Sequence, residues 1–224
     1  MRRPLLVFDM DGVLVDVSES YRESIQQTVD HFTGRRPARE EIQDWKNRGG
    51  WNDDWRLSRA IIESYGGSIG LEEVTSVFQR LFLGENGDGL IHRERWIARE
   101  GLLERLSERM QLALFTGRPK EDARITLDRF AGKLSFDPIV GMHDVVCHKP
   151  APDGLLLIAE HAPGAPLCYV GDTVDDARSA QAAGVRFIGI SDPGKPRHQE
   201  VTQLLLACGA AAVLDDINQL ESVL

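Results

Sequence analysis

Four short apolar runs recur along the chain, and each one ends in a glycine or a polar residue. The runs cover residues 5–8, 112–115, 167–170 and 185–190. Each is apolar at successive positions rather than alternate ones, and a stretch with helical periodicity separates it from the next. This pattern is typical of parallel strands covered by helices on both faces. We therefore predict an α/β fold with a doubly wound, Rossmann-like parallel sheet.

Residues 17–91 interrupt this alternation. Apolar positions with helical spacing run from Tyr21 to Phe32, from Leu57 to Tyr65 and from Leu71 to Leu81. Pro37 is placed to start a further helix, because proline is favoured in the first helical turn. We predict a small all-α cap domain of four helices over residues 17–91, inserted after the first strand. The α/β core would then comprise residues 1–16 and 92–224.

Charge and hydropathy exclude several classes of partner. The formal net charge of −9 opposes binding to nucleic acid or anionic lipid, since lysines and arginines form no cluster apart from acidic residues. The basic start, Met1 to Pro4, is followed by at most five apolar residues, so we expect no signal peptide. No apolar stretch approaches the length needed to span a membrane. We expect a cytoplasmic protein with neither a nucleic acid nor a membrane as partner.

The three cysteines, Cys147, Cys168 and Cys208, lack metal-ligand spacing, and their odd number favours reduced thiols over a disulfide framework. Cys168 lies within an apolar run and is predicted to be a core residue. Cys147 precedes His148, which suggests a thiol with its base, but neighbours in sequence rarely face each other. We therefore do not expect a catalytic cysteine.

Asp9 and Asp11 stand at the end of the first apolar run with one residue between them. Structural alternatives exist: Asp11 could start a turn with Gly12, and the nearby Asp16 could cap the first helix. A turn does not need a second carboxylate at the end of a buried strand, however. The pair is therefore interpreted as chemical: two carboxylates suit metal binding and phosphoryl transfer.

Other polar residues follow the remaining strands. In chain order the set is Asp9, Asp11, Thr116, Gly117, Arg118, Lys149, Asp172 and Asp176. Ligands of open parallel sheets bind beyond the carboxyl ends of the strands, so these side chains should meet. Several close carboxylates cannot all stay ionised without a cation, and hard oxygen ligands favour Mg²⁺. Hydroxyl, amide and cationic donors are what a phosphoryl group requires.

These segments resemble the four ordered motifs of the haloacid dehalogenase superfamily. The first is Asp9 to Asp16, the second is Thr116, the third is Lys149 with its Pro-Ala-Pro-Asp tail, and the fourth is Gly171 to Asp176. The helical insert and the alanine-containing stretch from Asp176 to Gly184 resemble the phosphoglycolate-phosphatase and phosphoglucomutase-like branch. Four motifs in order and in register with strand ends are far more specific than a single Asp-x-Asp.

The resemblance implies a role for each matching residue. Asp9 would be the nucleophile that forms an aspartyl-phosphate, and Asp11 the general acid and then the general base. Thr116 and the Gly117 amide would bind phosphoryl oxygens, while Lys149 would neutralise the nucleophile and the transferring group. A plain strand-end hydroxyl at Thr116 and a solvated charge at Lys149 are the structural alternatives.

The same resemblance implies that Mg²⁺ is held by the Asp9 carboxylate, the Asp11 backbone carbonyl and Asp172. Asp176 would act on the metal through water, and it also completes a capping box with Thr173. Arg118 departs from the commoner pattern of this branch: it could bind phosphate or be a charge beside a helix.

Two other aspartates are interpreted as structural. Asp153 is predicted to cap a helix over residues 154–160, and Asp175 is predicted to be solvated.

The segment from Trp45 to Trp55 contains three tryptophans, two cations and a Gly-Gly pair. Such aromatic area could pack the core of the cap or contact substrate, and the two alternatives are equal at this point. In the second case Lys46 and Arg48 would bind an additional anionic group of the substrate. Asn47 and Asn52 would add hydrogen bonds.

The sequence thus predicts a Mg²⁺-dependent hydrolase of a small phosphorylated metabolite. Asp11 argues against dehalogenases and phosphonate-cleaving relatives, which replace the second aspartate of the first motif. A sugar-phosphate phosphomutase shares every core motif and remains the alternative. A catalytically silent binding protein is disfavoured, because no charged residue of the four motifs is missing.

Overall fold

Six parallel strands form the central sheet of the computed structural model, which describes residues 3–224. Met1 and Arg2 of the basic start lie outside the described residues. In chain order the strands are β1 (Leu5–Phe8), β2 (Val15–Asp16), β3 (Arg95–Trp96), β4 (Gln111–Phe115), β5 (Phe136–Val140), β6 (Leu167–Gly171), β7 (Arg186–Ile190) and β8 (Ala212–Leu214). The sheet order is β5-β4-β1-β6-β7-β8, and β2 pairs antiparallel with β3. The predicted α/β fold with a parallel sheet is confirmed.

Helices cover both faces of the sheet, as the runs of successive apolar residues predicted. The helices are α1 (Tyr21–Thr33), α2 (Arg39–Arg48), α3 (Asp54–Ser64), α4 (Leu71–Leu83), α5 (Leu102–Arg109), α6 (Lys120–Ala131), α7 (Asp153–His161), α8 (Val174–Ala183) and α9 (His198–Ala207), with 3₁₀ turns at Leu90–Arg93, Met142–Asp144 and Ile217–Ser222. Leu6 and Phe8 face one apolar cluster, while Leu5 and Val7 face the other. Neighbouring residues of a strand point to opposite faces, so a central strand covered on both faces must be apolar throughout.

Two sheet strands were not predicted, and both lie at an edge of the sheet. β5 carries an exposed Asp137 and a Pro138, which lacks the N–H that a central strand would need. β8 has only three residues and follows an alanine-rich stretch. Edge strands are buried less than central ones, so their sequences lack the continuous apolar runs that revealed the others.

Helices α1 to α4 occupy residues 21–83, hereafter the helical segment, and α1 packs against both α3 and α4. The aromatic ring of Tyr21 on α1 lies 5.4 Å from that of Phe78 and 4.3 Å from that of Phe82 on α4. The four predicted helices are present, although the start of the second is corrected. Helix α2 begins at Arg39 rather than at Pro37, whose carbonyl accepts a hydrogen bond from Gln26.

The sheet has its switch point at β1. The chain continues to β4 and β5 on one side of β1 and to β6, β7 and β8 on the other. The carboxyl ends of β1, β4 and β6 therefore meet, and this is where an open parallel sheet binds ligands. The β2–β3 ribbon stands where the chain leaves the core for the helical segment and returns. Within residues 3–224, no helix is both long and apolar enough to cross a membrane.

Candidate active site

Lys149 joins two of the predicted aspartates beneath the carboxyl end of β1. Its Nζ lies 2.9 Å from Asp9 Oδ1 and 2.7 Å from Asp176 Oδ1, and it also donates to the Phe115 carbonyl at 2.9 Å. All three charged side chains are buried. An ammonium group at this depth requires paired carboxylates, so a solvated Lys149 is ruled out.

Asp9, Asp172 and Asp176 each offer a carboxylate oxygen within 4.8 Å of the others. Asp172 Oδ1 is buried without a hydrogen-bond partner among the described residues. Asp176, in contrast, accepts from Tyr169 and Lys149 through Oδ1 and from Thr173 through Oδ2. Asp9 and Asp172 are therefore the members of the cluster with ligand capacity to spare. Both oxygens of Asp176 are already occupied by hydrogen bonds within the protein.

Gly12 allows the loop after β1 to approach this cluster. Its φ of +78° is in the left-handed region, and the Asp172 carboxylate fills the space where a Cβ would stand. Any other residue would be strained and would also displace Asp172.

The pKa values of the cluster reflect crowded negative charge. Burial raises the pKa of Asp9 to about 7, since Asp176 and Asp11 add to the effect and Lys149 only partly opposes it. Burial and the charges of Asp176 and Asp9 raise the pKa of Asp172 well above its ordinary value. Burial also acts to raise the pKa of Asp176, but Lys149 outweighs it and the pKa falls. A divalent cation with oxygen ligands would relieve this crowding, so the residues present fit Mg²⁺.

Asp11 does not join the acidic cluster through its carboxylate. Arg118 donates to Asp11 Oδ1 twice, from Nε at 2.8 Å and from Nη2 at 2.5 Å. The predicted metal contact of Asp11 is its backbone carbonyl, which this arrangement leaves unaffected. Arg118 itself is buried and binds carboxylates, which corrects the interpretation as a charge beside a helix. It still lines the cavity, although its guanidinium already serves Asp11 and Glu94.

Thr116 and Gly117 follow β4 directly. The buried Thr116 hydroxyl accepts a hydrogen bond from the Arg118 amide at 3.2 Å, and both residues line a small recess beside Lys149. A Cβ at Gly117 would overlap the side chain of Asn52 from the helical segment. Glycine at this position therefore lets the segment approach the strand end closely.

The helical segment covers the strand ends and encloses a central cavity, defined by Asp9, Asp11, Asp172, Lys46 and Trp55. Lys46 Nζ lies 2.6 Å from Asp54 Oδ1, and an Arg22 nitrogen lies 3.6 Å from Asp54 Oδ2. Lys46 thus reaches the cavity as the sequence suggested. Arg48 does not: its exposed guanidinium lies over the Trp45 ring, 4.9 Å from the centroid, and it is not among the lining residues.

The tryptophan segment packs the core in one part and lines the cavity in another. Trp45 and Trp51 meet edge to face at 4.9 Å and pack against the core. Trp55 lines the central cavity, as do Asn52 and Asp54. Asn47, in contrast, is buried within α2 and accepts from Gln43.

The prediction that Asp175 is solvated is wrong. The side chain is buried and its carboxylate accepts from the amides of Gly50 and Trp51, at 2.7 and 3.1 Å. Burial raises the pKa of Asp175, and the Gly50 hydrogen bond opposes the rise. Asp175 connects α8 of the core to the loop between α2 and α3.

Asp153 also differs from its prediction. Helix α7 begins at Asp153 itself, and the carboxylate accepts from the Cys147 amide at 3.2 Å rather than capping the helix. Cys168 is buried in the core as predicted, and all three cysteines are free thiols.

Sequence reasoning missed several buried or half-buried polar residues near the site: Arg22, Asp54, Glu94, Thr126 and Tyr169. None follows a strand end, and the partners of most lie far away in the sequence. The only local signal was Asp53-Asp54 at the start of α3, where Asp53 caps the helix.

Comparison with known proteins finds a matching family model and several relatives. The family model for haloacid dehalogenase-like hydrolase matches residues 6–190. The chain is 36% identical over 198 residues to an imidazoleglycerol-phosphate dehydratase of Phytophthora nicotianae, which covers 84% of this chain but 43% of that protein. It is 29% identical over 217 residues to phosphoglycolate phosphatase 1 of Pseudomonas aeruginosa, covering 90% of this chain and 75% of the relative.

Among solved structures, phosphatase Tt82 of Thermococcus thioreducens superposes with a TM-score of 0.64 and 25% identity. The superposition covers 90% of this chain and 99% of that one. The chain thus spans less than half of the Phytophthora protein but nearly all of a solved phosphatase. With the family model covering most of the sequence, the chain belongs to the haloacid dehalogenase-like hydrolase family.

Proposed function

We propose that this chain is a Mg²⁺-dependent phosphomonoester hydrolase that acts on a small phosphorylated metabolite through an aspartyl-phosphate. The single observation that carries the proposal is Asp9, held by Lys149 at the edge of an enclosed cavity beside two further carboxylates. The phosphatase names of the Pseudomonas and Thermococcus relatives support it. The Phytophthora name does not decide the reaction, because the match covers under half of that protein.

In the proposed reaction an oxygen of Asp9 attacks phosphorus while the bond from phosphorus to the leaving oxygen breaks. Asp11 gives that oxygen a proton, then takes a proton from the water that hydrolyses the aspartyl-phosphate. Lys149 orients Asp9, and Thr116 with the Gly117 amide binds phosphoryl oxygens in the adjoining recess. The proton that Asp11 gives to the leaving oxygen in the first step is replaced by the proton that it takes from water in the second.

Asp9 and Asp172, with the Asp11 carbonyl, would hold the cation, and Asp176 would act behind them. When bound, Mg²⁺ supplies charge neutralisation for the carboxylates and the transferring phosphoryl group. The protein's own contribution is to hold these oxygens close together in a buried site. The side chains of Asp9 and Asp176 are both buried.

We also propose that residues 17–91 act as a cap that opens for entry and closes for chemistry, with hinges near Asp16–Val17 and Ile91–His92. Contacts that join the helical segment to the core include Asp175 with the Gly50 amide, Arg197 with Asp44, and Gln79 with Asp122. Because their core residues lie in or beside different helices, they would let the cap close in one defined position. The free thiols favour a reducing compartment such as the cytoplasm.

A panel of small phosphate esters, assayed for phosphate release with and without EDTA, tests the function. We expect turnover that EDTA abolishes and that added Mg²⁺ restores. Transfer only to a sugar phosphate, without phosphate release, would instead favour the phosphomutase. Absence of both activities with Mg²⁺ present would favour a binding protein and contradict the proposal.

A further inference from the structure

Glu94 is a buried carboxylate that the proposed reaction does not use. It lies between the 3₁₀ turn Leu90–Arg93 and strand β3, where the chain returns to the core, and its side chain is 0% exposed. Burying a carboxylate is costly unless it is paired, so its partners indicate what it does.

Those partners are Arg118 and Thr126. Arg118 Nη2 donates to Glu94 Oε1 at 2.7 Å, and the Thr126 hydroxyl donates to Glu94 Oε2 at 2.7 Å. Arg118 Nη1 in turn donates to Thr126 Oγ1 at 3.0 Å. Both oxygens of Glu94 are therefore occupied, and the guanidinium is fixed on one side in a single orientation.

The other side of the same guanidinium binds Asp11. Nε and Nη2 both donate to Oδ1, which leaves Oδ2 of Asp11 outside this contact. Nη2 is shared between Asp11 and Glu94, so a change at either carboxylate alters the contact with the other. Burial acts to lower the pKa of Arg118, but the charges of Asp11 and Glu94 outweigh it.

Aromatic rings of the helical segment complete the surroundings of Arg118. The guanidinium carbon lies 4.4 Å from the Tyr21 ring centroid and 5.5 Å from that of Phe82. Arg118 is thus enclosed by Glu94 and Thr126 from the core side and by α1 and α4 from above. Its orientation, and that of Asp11, depends on the helical segment being in contact with the core.

We propose that Glu94 is a positioning residue for proton transfer: through Arg118 it holds Asp11 by Oδ1, so that Oδ2 faces the leaving oxygen of the substrate. The inference rests on the proposed function and deepens it. Glu94 itself is too buried to touch substrate, so its effect must pass through Arg118 and Asp11.

Leaving-group dependence tests this role. General acid catalysis matters most when the leaving oxygen is a poor leaving group, as in glycerol phosphate, and least for p-nitrophenyl phosphate. For E94Q we expect kcat/KM, which reports the steps up to transfer of the phosphoryl group to Asp9, to fall about 10-fold or more with glycerol phosphate and less than about 3-fold with p-nitrophenyl phosphate. T126V keeps every charge and should show the same selectivity with a smaller loss. It provides the test if E94Q does not fold.

E23Q is the matched control. Glu23 is also a buried glutamate paired with an arginine, Arg36 at 2.6 Å, but it lies in the helical segment away from Asp11. For E23Q, the ratio of variant to wild-type kcat/KM should be the same for both esters. Equal losses of kcat/KM with both esters in E94Q, or no loss, would overturn the positioning role.

A double-variant cycle separates this inference from the proposed function. In a D11N background, E94Q should cause no further loss, because the group that it positions is gone. An additive loss would contradict the inference while leaving the phosphatase intact. A wild-type protein without phosphatase activity would contradict the proposed function instead. The crystal structure of E94Q, in which the Arg118–Asp11 contact should be altered, would then still test the geometry; an unchanged contact would refute it.

Discussion

Two surfaces of the central cavity differ in their charge. The floor is the surface formed by the strand ends, and the roof is the surface formed by the helical segment. The floor, at the strand ends, contains four carboxylates and two cations: Asp9, Asp11, Asp172 and Asp176 with Lys149 and Arg118. The roof, from the helical segment, contains two cations and two carboxylates: Lys46 and Arg22 with Asp54, and Asp53, which caps α3. The floor therefore carries excess negative charge, whereas the charges of the roof balance.

This difference assigns separate tasks to the two surfaces. A floor with surplus carboxylates attracts a divalent cation and resists an anionic substrate until that cation is bound. On the roof, Lys46 and Arg22 share Asp54, while Asp53 is occupied by the amides of α3 and by Arg56, so the two cations would favour a substrate whose leaving group carries an additional anionic group. Chemistry and selection should therefore be separable by mutation.

The largest expected effect is at the floor. Asp9→Asn removes the nucleophile, so we expect kcat to fall by at least about 10³-fold while the fold is kept. Phosphate release and far-UV circular dichroism measure the two properties. Retention of more than a trace of the wild-type rate would show that Asp9 is not the covalent nucleophile.

Lys149→Met tests how much the buried lysine of the floor contributes to the stability of the protein. The change leaves Asp9 and Asp176 buried without their common partner, so the free energy of unfolding should fall by about 3–5 kcal/mol. Urea unfolding of the metal-free protein measures it. Lys120→Met is the matched control, since its partly exposed pair with Asp144 should contribute at most about 1 kcal/mol. Equal losses in the two variants would contradict a special role for the buried pair.

At the roof, Lys46→Ala should act on selection. We expect KM to rise about 10-fold for substrates with a second anionic group, and kcat to change little, because a charged hydrogen bond contributes about 1.5–3 kcal/mol. Arg48→Ala serves as the control, because its side chain is outside the cavity. If KM for every active substrate is the same as in the wild type, Lys46 takes no part in recognition.

Asp175→Asn tests the connection between roof and floor. The Gly50 amide donates to both carboxylate oxygens and the Trp51 amide to Oδ2, so an asparagine with one neutral acceptor oxygen weakens these hydrogen bonds. We expect a loss of about 1 kcal/mol and faster hydrogen exchange at those amides. Asp192→Asn, in the exposed turn to Gly194, should leave exchange at Gly50 unchanged. Unaltered exchange at Gly50 and Trp51 in Asp175→Asn would show that the contact does not hold the loop.

The smallest effect concerns Asp16, beside the exit of the chain into the helical segment. Burial would raise its pKa, but hydrogen bonds from Lys195 and Ser18 outweigh it and lower the pKa to about 2, from 3.8. A lowered pKa contributes stability above about pH 4, and this stability is lost as the pH falls towards 2. Because Asp16 is partly exposed, the contribution should be under about 1 kcal/mol.

Lys195→Met should therefore melt below the wild type near pH 6, and the gap should narrow near pH 3. Thermal melts at both pH values measure it. A gap that widens on acidification would reverse the assigned sign.

Residues next to a strand end could be predicted, and residues paired over long distances could not. Asp9 and Asp172 were found because a charge that follows an apolar run is a local signal, and parallel topology brings such ends together. Lys149 follows no apolar run, and its role was inferred from the resemblance of its Lys-Pro-Ala-Pro-Asp segment to a family motif. Glu94, Asp54 and Asp175 gave no such signal. A charged residue is expected on the surface unless its partner is known, and their partners lie elsewhere in the chain.

The same limit applies to the fold. Central strands were predicted because both of their faces are buried, whereas β5 and β8 lack that pattern. The helices of the helical segment were visible in their periodicity, but which of its cations faced the cavity was not. Lys46 and Arg48 are two positions apart on one helix, and only the packing of α2 against the core distinguishes them.

The proline in β5 has a consequence for the protein in concentrated solution. An outermost strand usually presents free N–H and C=O groups that can recruit a strand from another molecule. Pro138 removes a donor from that border, and the exposed charge of Asp137 beside it repels an incoming chain. At the opposite border, β8 is only three residues long. The molecule thus carries built-in protection against fibrillar aggregation on both sides, independent of any ligand.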